Sequence, residues 1–189
     1  CLRDLMTSAE LLLSVLNDIL DFSKIEAGRM ELERIPFSIQ QCLHDSAKTF
    51  AAAASQQGLE MRRLLAPDIP HLLLGDPIRL RQVLLNLMAN AVKFNEPGGQ
   101  VIVSTAVDAA GQAVIRVRDT GVGMNENEVG LALTPFSQVG KSGAKGGAGL
   151  GLPLTKALVE ANKAEFSIKS RREQGTLIEI AFPNIQAAQ

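Results

Sequence analysis

The sequence predicts an α+β domain preceded by one helix of a helical bundle, and three observations carry that prediction. Apolar residues recur at four- and three-residue steps through the first thirty positions, helical and strand periods alternate beyond residue 36, and residues 119–148 are rich in glycine with no regular period. At 189 residues and 20.2 kDa the chain suits one core with an attached helical arm. Its 46% hydrophobic and 21% charged content excludes a disordered polar tail or a low-complexity repeat. Lys plus Arg, 19, nearly equals Asp plus Glu, 20, and a net charge of -1 supplies no field for nucleic acid or an anionic membrane, so neither is an expected partner. Cys1 and Cys42 lie far from any CxxC spacing, which excludes a disulfide framework and a structural zinc site and points to a reducing compartment. No apolar run approaches the roughly 18–20 residues that span a bilayer, no basic-then-apolar leader opens the chain, and Cys1 falls inside a helical pattern. The expectation is a cytoplasmic piece of a longer protein, with any membrane anchor outside these residues.

Each element has its own signal. Leu5, Ala9, Leu12, Leu16, Ile19 and Ser23 form the seam of a helix over residues 1–30, and Leu2, Met6, Leu13 and Leu20 widen it. So broad an apolar face is unstable alone in water, and the helix is expected in a bundle with a second copy of the chain, a homodimer. Gly28 and Pro36 give the stop signals, which sets a linker over 31–36. The domain proper is expected over 37–184, with a tail at 185–189. Its first helix spans 38–57 and ends at Gly58; Leu59–Leu65 and His71–Leu74 are short strands parted by Pro67 and Pro70. Asp76 caps the next helix, Pro77 takes its first position, and Ile78, Leu80, Val83, Leu84, Leu87, Ala91 and Phe94 form its buried stripe. After Glu96-Pro97-Gly98-Gly99, Gln100–Val107 and Gln112–Arg118 read as a hairpin around Ala109–Gly111. Residues 119–148 read as a loop, Gly149–Asn162 as a helix, and Glu165–Lys169 with Thr176–Phe182 as a closing strand pair.

Three clusters carry chemistry. Asn86 and Asn90 lie one turn apart on one helix face, with Lys93 close to it. They are either a solvated side or, since asparagine is a mediocre helix former and Leu84, Leu85, Leu87 and Met88 surround them, a buried pair that needs partners. Amide oxygens are hard ligands that suit Mg²⁺ held jointly with substrate phosphates. The pair by itself leaves both readings open. Asp119-Thr120-Gly121-Val122-Gly123 turns out of a strand, a place where sheets bind ligands. Asp119 can accept from an exocyclic amine such as adenine's, and Gly121 and Gly123 admit a close-lying base, although an Asp-x-Gly turn needs no ligand. Gly146-Gly147-Ala148-Gly149-Leu150-Gly151-Leu152 opens an apolar helix whose free N–H groups and positive end suit phosphate, the alternative being a plain linker. It is not a dinucleotide fingerprint, for no strand directly precedes it, nor a Walker loop, for no Gly-Lys-Ser/Thr closes it.

Together these residues resemble the catalytic, ATP-binding domain of sensor histidine kinases. The family's N box is similar to Asn86–Phe94, preceded by Gly75–Gln82; its first glycine box to Asp119–Met124; its F box to Thr134–Gln138; and its second glycine box to Gly147–Leu152. All four stand in the family's order and spacing over residues 36–183, and Leu16–Gly28 resembles the second helix of the family's dimerisation hairpin. The resemblance implies a two-layer α/β sandwich of the histidine-kinase and Hsp90-like ATPase (Bergerat) type, binding ATP or ADP with Mg²⁺. It implies catalytic roles for Asn86, Asn90 and Lys93, with Mg²⁺ on Asn90 and also on Asn86. Asp119 would contact adenine, and Gly121, Gly123, Phe136, Lys145, Gly147, Gly149, Leu150 and Gly151 would complete the nucleotide site. Residues between Phe136 and Gly147, Lys141 and Lys145 among them, would form a lid. In related topoisomerases, chaperones and mismatch-repair ATPases the residue matching Asn86 is a water-activating glutamate. An amide cannot be that base, which favours phosphoryl transfer to a protein over hydrolysis.

The family's phosphoacceptor motif, a histidine followed by Glu, an Arg and a Pro, is absent from these residues. His44 lies in the helix after the linker and His71 near a strand, positions that suit structural or surface roles. The acceptor is therefore expected on the first hairpin helix, outside this chain. Leu131–Phe136 and Gly151–Lys156 are similar to the alphaproteobacterial cell-cycle kinases of the DivJ, PleC and DivL group. Ala161-Asn162-Lys163-Ala164, where the family commonly has a His-Gly-Gly-like turn, leans toward DivL, whose acceptor is tyrosine. Two functions follow. One is a kinase core that passes the γ-phosphoryl of Mg-ATP to that acceptor and on to a response regulator. The other is a pseudokinase whose pocket serves to regulate a partner kinase.

Overall fold

The computed structural model describes residues 2–139 and 148–182. Helix α1 (Leu2–Glu26) stops at Gly28, whose φ of 64° lets Gly28 and Arg29 donate back to the Ile25 and Lys24 carbonyls. Leu12, Leu13, Leu16 and Leu20 of its seam stand between 47% and 62% exposed. The stretch expected as linker contributes strand β1 (Ile35–Phe37), because Ile35, Pro36 and Phe37 pair antiparallel with Gly75, Leu74 and Leu73 of β3 (Leu73–Gly75). Ser38 accepts from the Gln41 N–H and starts α2 (Ile39–Gln56), after which comes β2 (Glu60–Leu64).

Helix α3 (Pro77–Lys93) carries the predicted signals at its start. Pro77 opens the first turn, Asp76 Oδ1 accepts from the Ile78 and Arg79 N–H groups, and Asp76 Oδ2 accepts from the Glu33 N–H. Its buried stripe is Leu80, Val83, Leu84, Leu87, Met88, Ala91 and Val92. Ile78, expected in that stripe, is 67% exposed, since it lies about 200° around the helix from Leu80. Strands β4 (Gln100–Val107) and β5 (Ala113–Asp119) form the predicted hairpin, with Val103 opposite Val117 and Thr105 opposite Ile115. The stretch expected as loop holds helix α4 (Glu126–Ala132). Asn125 and Glu128 exchange side-chain and backbone hydrogen bonds across its first turn, a capping box strong enough to seat a short helix. Helix α5 (Gly151–Ala161), β6 (Glu165–Arg171) and β7 (Gly175–Phe182) complete the domain.

Five strands form one sheet in the order β2-β4-β5-β7-β6, with β2 parallel to β4 and the other pairs antiparallel. Val101, Val103 and Thr105 alternate into the core. There they meet Ile39 and Leu43 of α2, Leu84 and Leu87 of α3, and Leu154 and Leu158 of α5, all six no more than 2% exposed. The opposite face is polar: Arg116 and Lys169 reach Glu179 at 2.7 and 3.1 Å. This is the two-layer α/β arrangement the sequence predicts. Helix α1 docks on it through Asp21 Oδ2, which accepts from Arg79 Nη1 at 2.7 Å and from Gln82 Nε2 at 3.0 Å. No helix among the described residues is long and apolar enough to cross a membrane.

Candidate functional site

Asp119 ends β5, and the backbone around it presets its carboxylate. Oδ1 accepts the Gly121 N–H at 2.9 Å and the Thr176 N–H of β7 at 3.2 Å, while no hydrogen bond to Oδ2 is formed among the described residues. Burial pushes the carboxyl above the ordinary aspartate range, and the two backbone donors pull part of the way back. The result is a half-buried acceptor with one oxygen bonded and the other without a partner among the described residues.

The neighbouring glycines answer to the protein's own backbone. A Cβ on Gly121 would lie 2.4 Å from the Phe94 carbonyl oxygen, and one on Gly123, whose φ is 61°, would fall 1.8 Å from that of Arg171. Gly175, which no sequence signal marked, packs equally close: its Cβ would sit 2.0 Å from the Asp119 carbonyl oxygen. Three chain crossings are thus compressed around the carboxylate.

On the other side Asn90 and Lys93 come from the last turn of α3, and Gly149 and Gly151 from the entry to α5. With Asp119, Gly121 and Gly123 they line a cleft of about 930 Å³, a volume suited to a small-molecule ligand. Lys93 Nζ stands 5.0 Å over the Phe94 ring. The other predicted positions sit elsewhere. Asn86 lies one turn back along α3, off the cleft wall, with its Nδ2 sealed and unpaired. Leu150 is a core residue, 1% exposed, at the N-cap of α5. Phe136 is 64% exposed and outside the wall; its N–H donates to the Gly149 carbonyl at 3.1 Å, tying the two loops together. Lys141, Lys145 and Gly147 lie outside the described residues.

Sequence reasoning missed two parts of this wall. Thr176 carries only a strand signal in the sequence, yet its N–H shares Asp119 Oδ1. Arg172 and Glu128 also line the cleft and pair with each other, Nε donating to Oε2 at 3.1 Å and Nη2 to Oε1, which holds the Glu128 carboxyl below its usual range. Glu128 was signalled by the Asn125-x-x-Glu128 spacing of a capping box, whereas nothing local marks Arg172.

The arrangement can take an amine-bearing base at Asp119 and a polyanion at the start of α5, where the first-turn N–H groups have no intrahelical acceptor. No group of three His, Cys, Asp or Glu suited to a metal exists among the described residues. A cation would therefore rest on neutral oxygens and on the anion itself. Asn90 brings a hard amide oxygen to the cleft wall and Asn86 carries a second one turn back along α3, residue types that would suit Mg²⁺ carried by phosphate.

Residues 75–186 match the family described as histidine kinase-, DNA gyrase B- and HSP90-like ATPase. The chain is 42% identical over 192 residues to the cell-division control histidine kinase PdhS of Brucella canis, a match that covers 96% of this chain and 18% of that protein. It superposes with a TM-score of 0.84, at 31% identity, on full-length ShkA in complex with AMPPNP, over 98% of this chain and 39% of that one. The histidine kinase AdeS of Acinetobacter baumannii shares the fold, with a TM-score of 0.79 at 20% identity over 100% of this chain and 84% of that one. The family match takes in every wall of the cleft from Leu87 to Ile178, and the chain belongs to the histidine kinase-, DNA gyrase B- and HSP90-like ATPase family, with histidine kinases as its relatives.

Proposed function

We propose that the chain is the Mg-ATP-binding core of a two-component histidine kinase of the cell-division type, passing the γ-phosphoryl group to an acceptor on a dimerisation helix and from there to a response regulator. Asp119 is the observation that carries this reading. Two backbone N–H groups load its Oδ1, so Oδ2 is left to accept from the exocyclic amine of adenine. The same cleft is lined by Gly151 at the first turn of α5, where phosphates meet free N–H groups, and by Lys93 and Asn90. Mg²⁺ held with the phosphates supplies charge neutralisation at the transferring group. Asn90, with Asn86 behind it, offers the oxygens that hold the ion. As an amide Asn86 takes no proton, so the site positions a phosphoryl group without activating water. By the same resemblance Phe136, Lys145, Gly147 and Leu150 would belong to the nucleotide site, with the residues between Phe136 and Gly147 as its lid.

In this reading residues 1–30 are the second helix of a dimerisation hairpin, 31–36 a linker, 37–184 the catalytic domain and 185–189 a tail. The exposed leucines of α1 belong in the bundle of a cytoplasmic homodimer. Calorimetric titration of the chain with ADP and with a non-hydrolysable ATP analogue, with and without Mg²⁺, tests the core of the proposal. Asp119→Ala is expected to cost at least about tenfold in affinity, as loss of a charged acceptor does, with the fold retained by circular dichroism. Unchanged affinity would remove adenine from Asp119.

The turn Ala161-Asn162-Lys163-Ala164 favours a second reading, a DivL-like regulator of a partner kinase. Lys163 holds φ 56° where the kinases commonly carry glycine. Phosphotransfer to an acceptor helix supplied in trans separates the two: a chain that binds Mg-ATP and transfers nothing is the regulator.

A further inference from the structure

Two polar atoms are buried without a hydrogen-bond partner among the described residues, Asn86 Nδ2 on α3 and Thr155 Oγ1 on α5, and these two helices pack against each other. Thr155 is 0% exposed. Serine and threonine in helices can bond the carbonyl four residues back, as Ser46 and Thr49 of α2 do here at 2.8 and 3.0 Å. Thr155 does not, so its hydroxyl is unspent in a place where water does not reach.

The packing of the helices brings the two orphans to one level. A Cβ on Gly151 would lie 3.9 Å from Asn90 Nδ2, so α5 begins beside Asn90. Asn90 is within a turn of the end of α3, and α5 shares length with α3 only by running back toward the start of α3. Thr155 lies one turn past Gly151 on the same face of α5, and Asn86 one turn before Asn90 on the same face of α3. Of the Asn86 amide it is the nitrogen, and not the oxygen, that is sealed without a partner among the described residues.

We propose that Thr155 is a positioning residue for Asn86. When Mg-nucleotide occupies the cleft, the Thr155 hydroxyl oxygen accepts directly from Asn86 Nδ2 and fixes the amide with Oδ1 toward the ion. The inference rests on the nucleotide reading above and assigns Thr155 no contact with nucleotide. Phosphate held at the first turn of α5 bears on the helix that carries Thr155, so occupancy of the cleft and closure of this contact are linked.

Thr155→Val keeps the shape of the side chain and removes the hydroxyl, while Thr155→Ser keeps the hydroxyl. The 189-residue chain and these variants are titrated with a non-hydrolysable ATP analogue, with and without Mg²⁺, and their thermal unfolding is recorded. In Thr155→Val the Mg²⁺ enhancement of affinity is expected to fall about five- to tenfold, the size of one lost hydrogen bond. Metal-free affinity holds and the unfolding midpoint holds or rises, because a methyl replaces an unpaired hydroxyl. Thr155→Ser keeps the parental enhancement, and in an Asn86→Ala background Thr155→Val has no further effect. Parental Mg²⁺ enhancement in Thr155→Val, or an equal loss on both backgrounds, overturns the inference and leaves the nucleotide reading standing. A lowered midpoint with the same loss of affinity with and without Mg²⁺ gives Thr155 a structural role and overturns it too. A parent chain that binds no nucleotide overturns the nucleotide reading and this inference together.

Discussion

Asp119 costs the fold stability when it is ionised. Its carboxyl is pushed up by burial, so the folded chain holds the proton more tightly than the unfolded one. The stability this gives is complete below the ordinary value of 3.8 and is lost as pH rises through the raised folded value. At neutral pH the ionised group is a burden. Asp119→Asn is therefore expected to raise the thermal midpoint at neutral pH, with the gain vanishing as pH falls toward 3.8; melts recorded between about pH 4 and pH 8 check this. Oδ1 of the new side chain still serves Gly121 and Thr176, but its amide N–H now points where an adenine amine would donate, so nucleotide affinity falls while stability rises. Asp119 and Asn90 were legible in the sequence because each breaks a local rule, a carboxylate ending a strand and an amide inside an apolar helix. Thr176 and Arg172 were not, since they act through partners 57 and 44 residues away, and a backbone N–H leaves no mark on composition.

Among the elements, helix ends were the most legible because their chemistry is local. Asp76 does more than the predicted cap: besides two N–H groups of α3 it takes the Glu33 N–H, fastening the approach to β1 onto the helix that carries Asn86 and Asn90. Asp76→Ala is expected to lower unfolding free energy by about 1–2 kcal/mol, measured by denaturant titration. Asp76→Asn recovers only the part owed to Oδ1, since an amide nitrogen cannot accept from Glu33. Strand β1 escaped sequence reading because it exists only through its pairing with β3 about forty residues on, and Ile35-Pro36-Phe37 has too few residues for a period. Helix α4 escaped because its seven residues lie inside a glycine-rich run, and its one local mark is the Asn125-x-x-Glu128 capping box.

On the scale of the whole molecule, α1 meets the domain through Phe22 and Ile25, packed against the core beside α5, and through one polar contact at Asp21. Asp18, one turn before Asp21, has its carboxyl pushed up by burial and by the Asp21 charge and pulled part of the way back by Gln82, while Arg79 pairs with Asp21. Arg79→Ala is expected to loosen the C-terminal part of α1, seen as amide exchange up to about tenfold faster over residues 15–26, with unchanged nucleotide affinity. Protection equal to the parent's would show that apolar packing alone holds the helix. The cleft has the opposite character, for its walls run from Leu87 to Ile178 and draw on most elements after β3. No half-folded chain owns it. A ligand bound there weighs only on the complete domain, adding about 2.7 kcal/mol to unfolding when free ligand is a hundredfold above its dissociation constant. Occupancy and resistance to proteases are then one equilibrium, and a cell short of that ligand would register the shortage first as faster turnover of this chain.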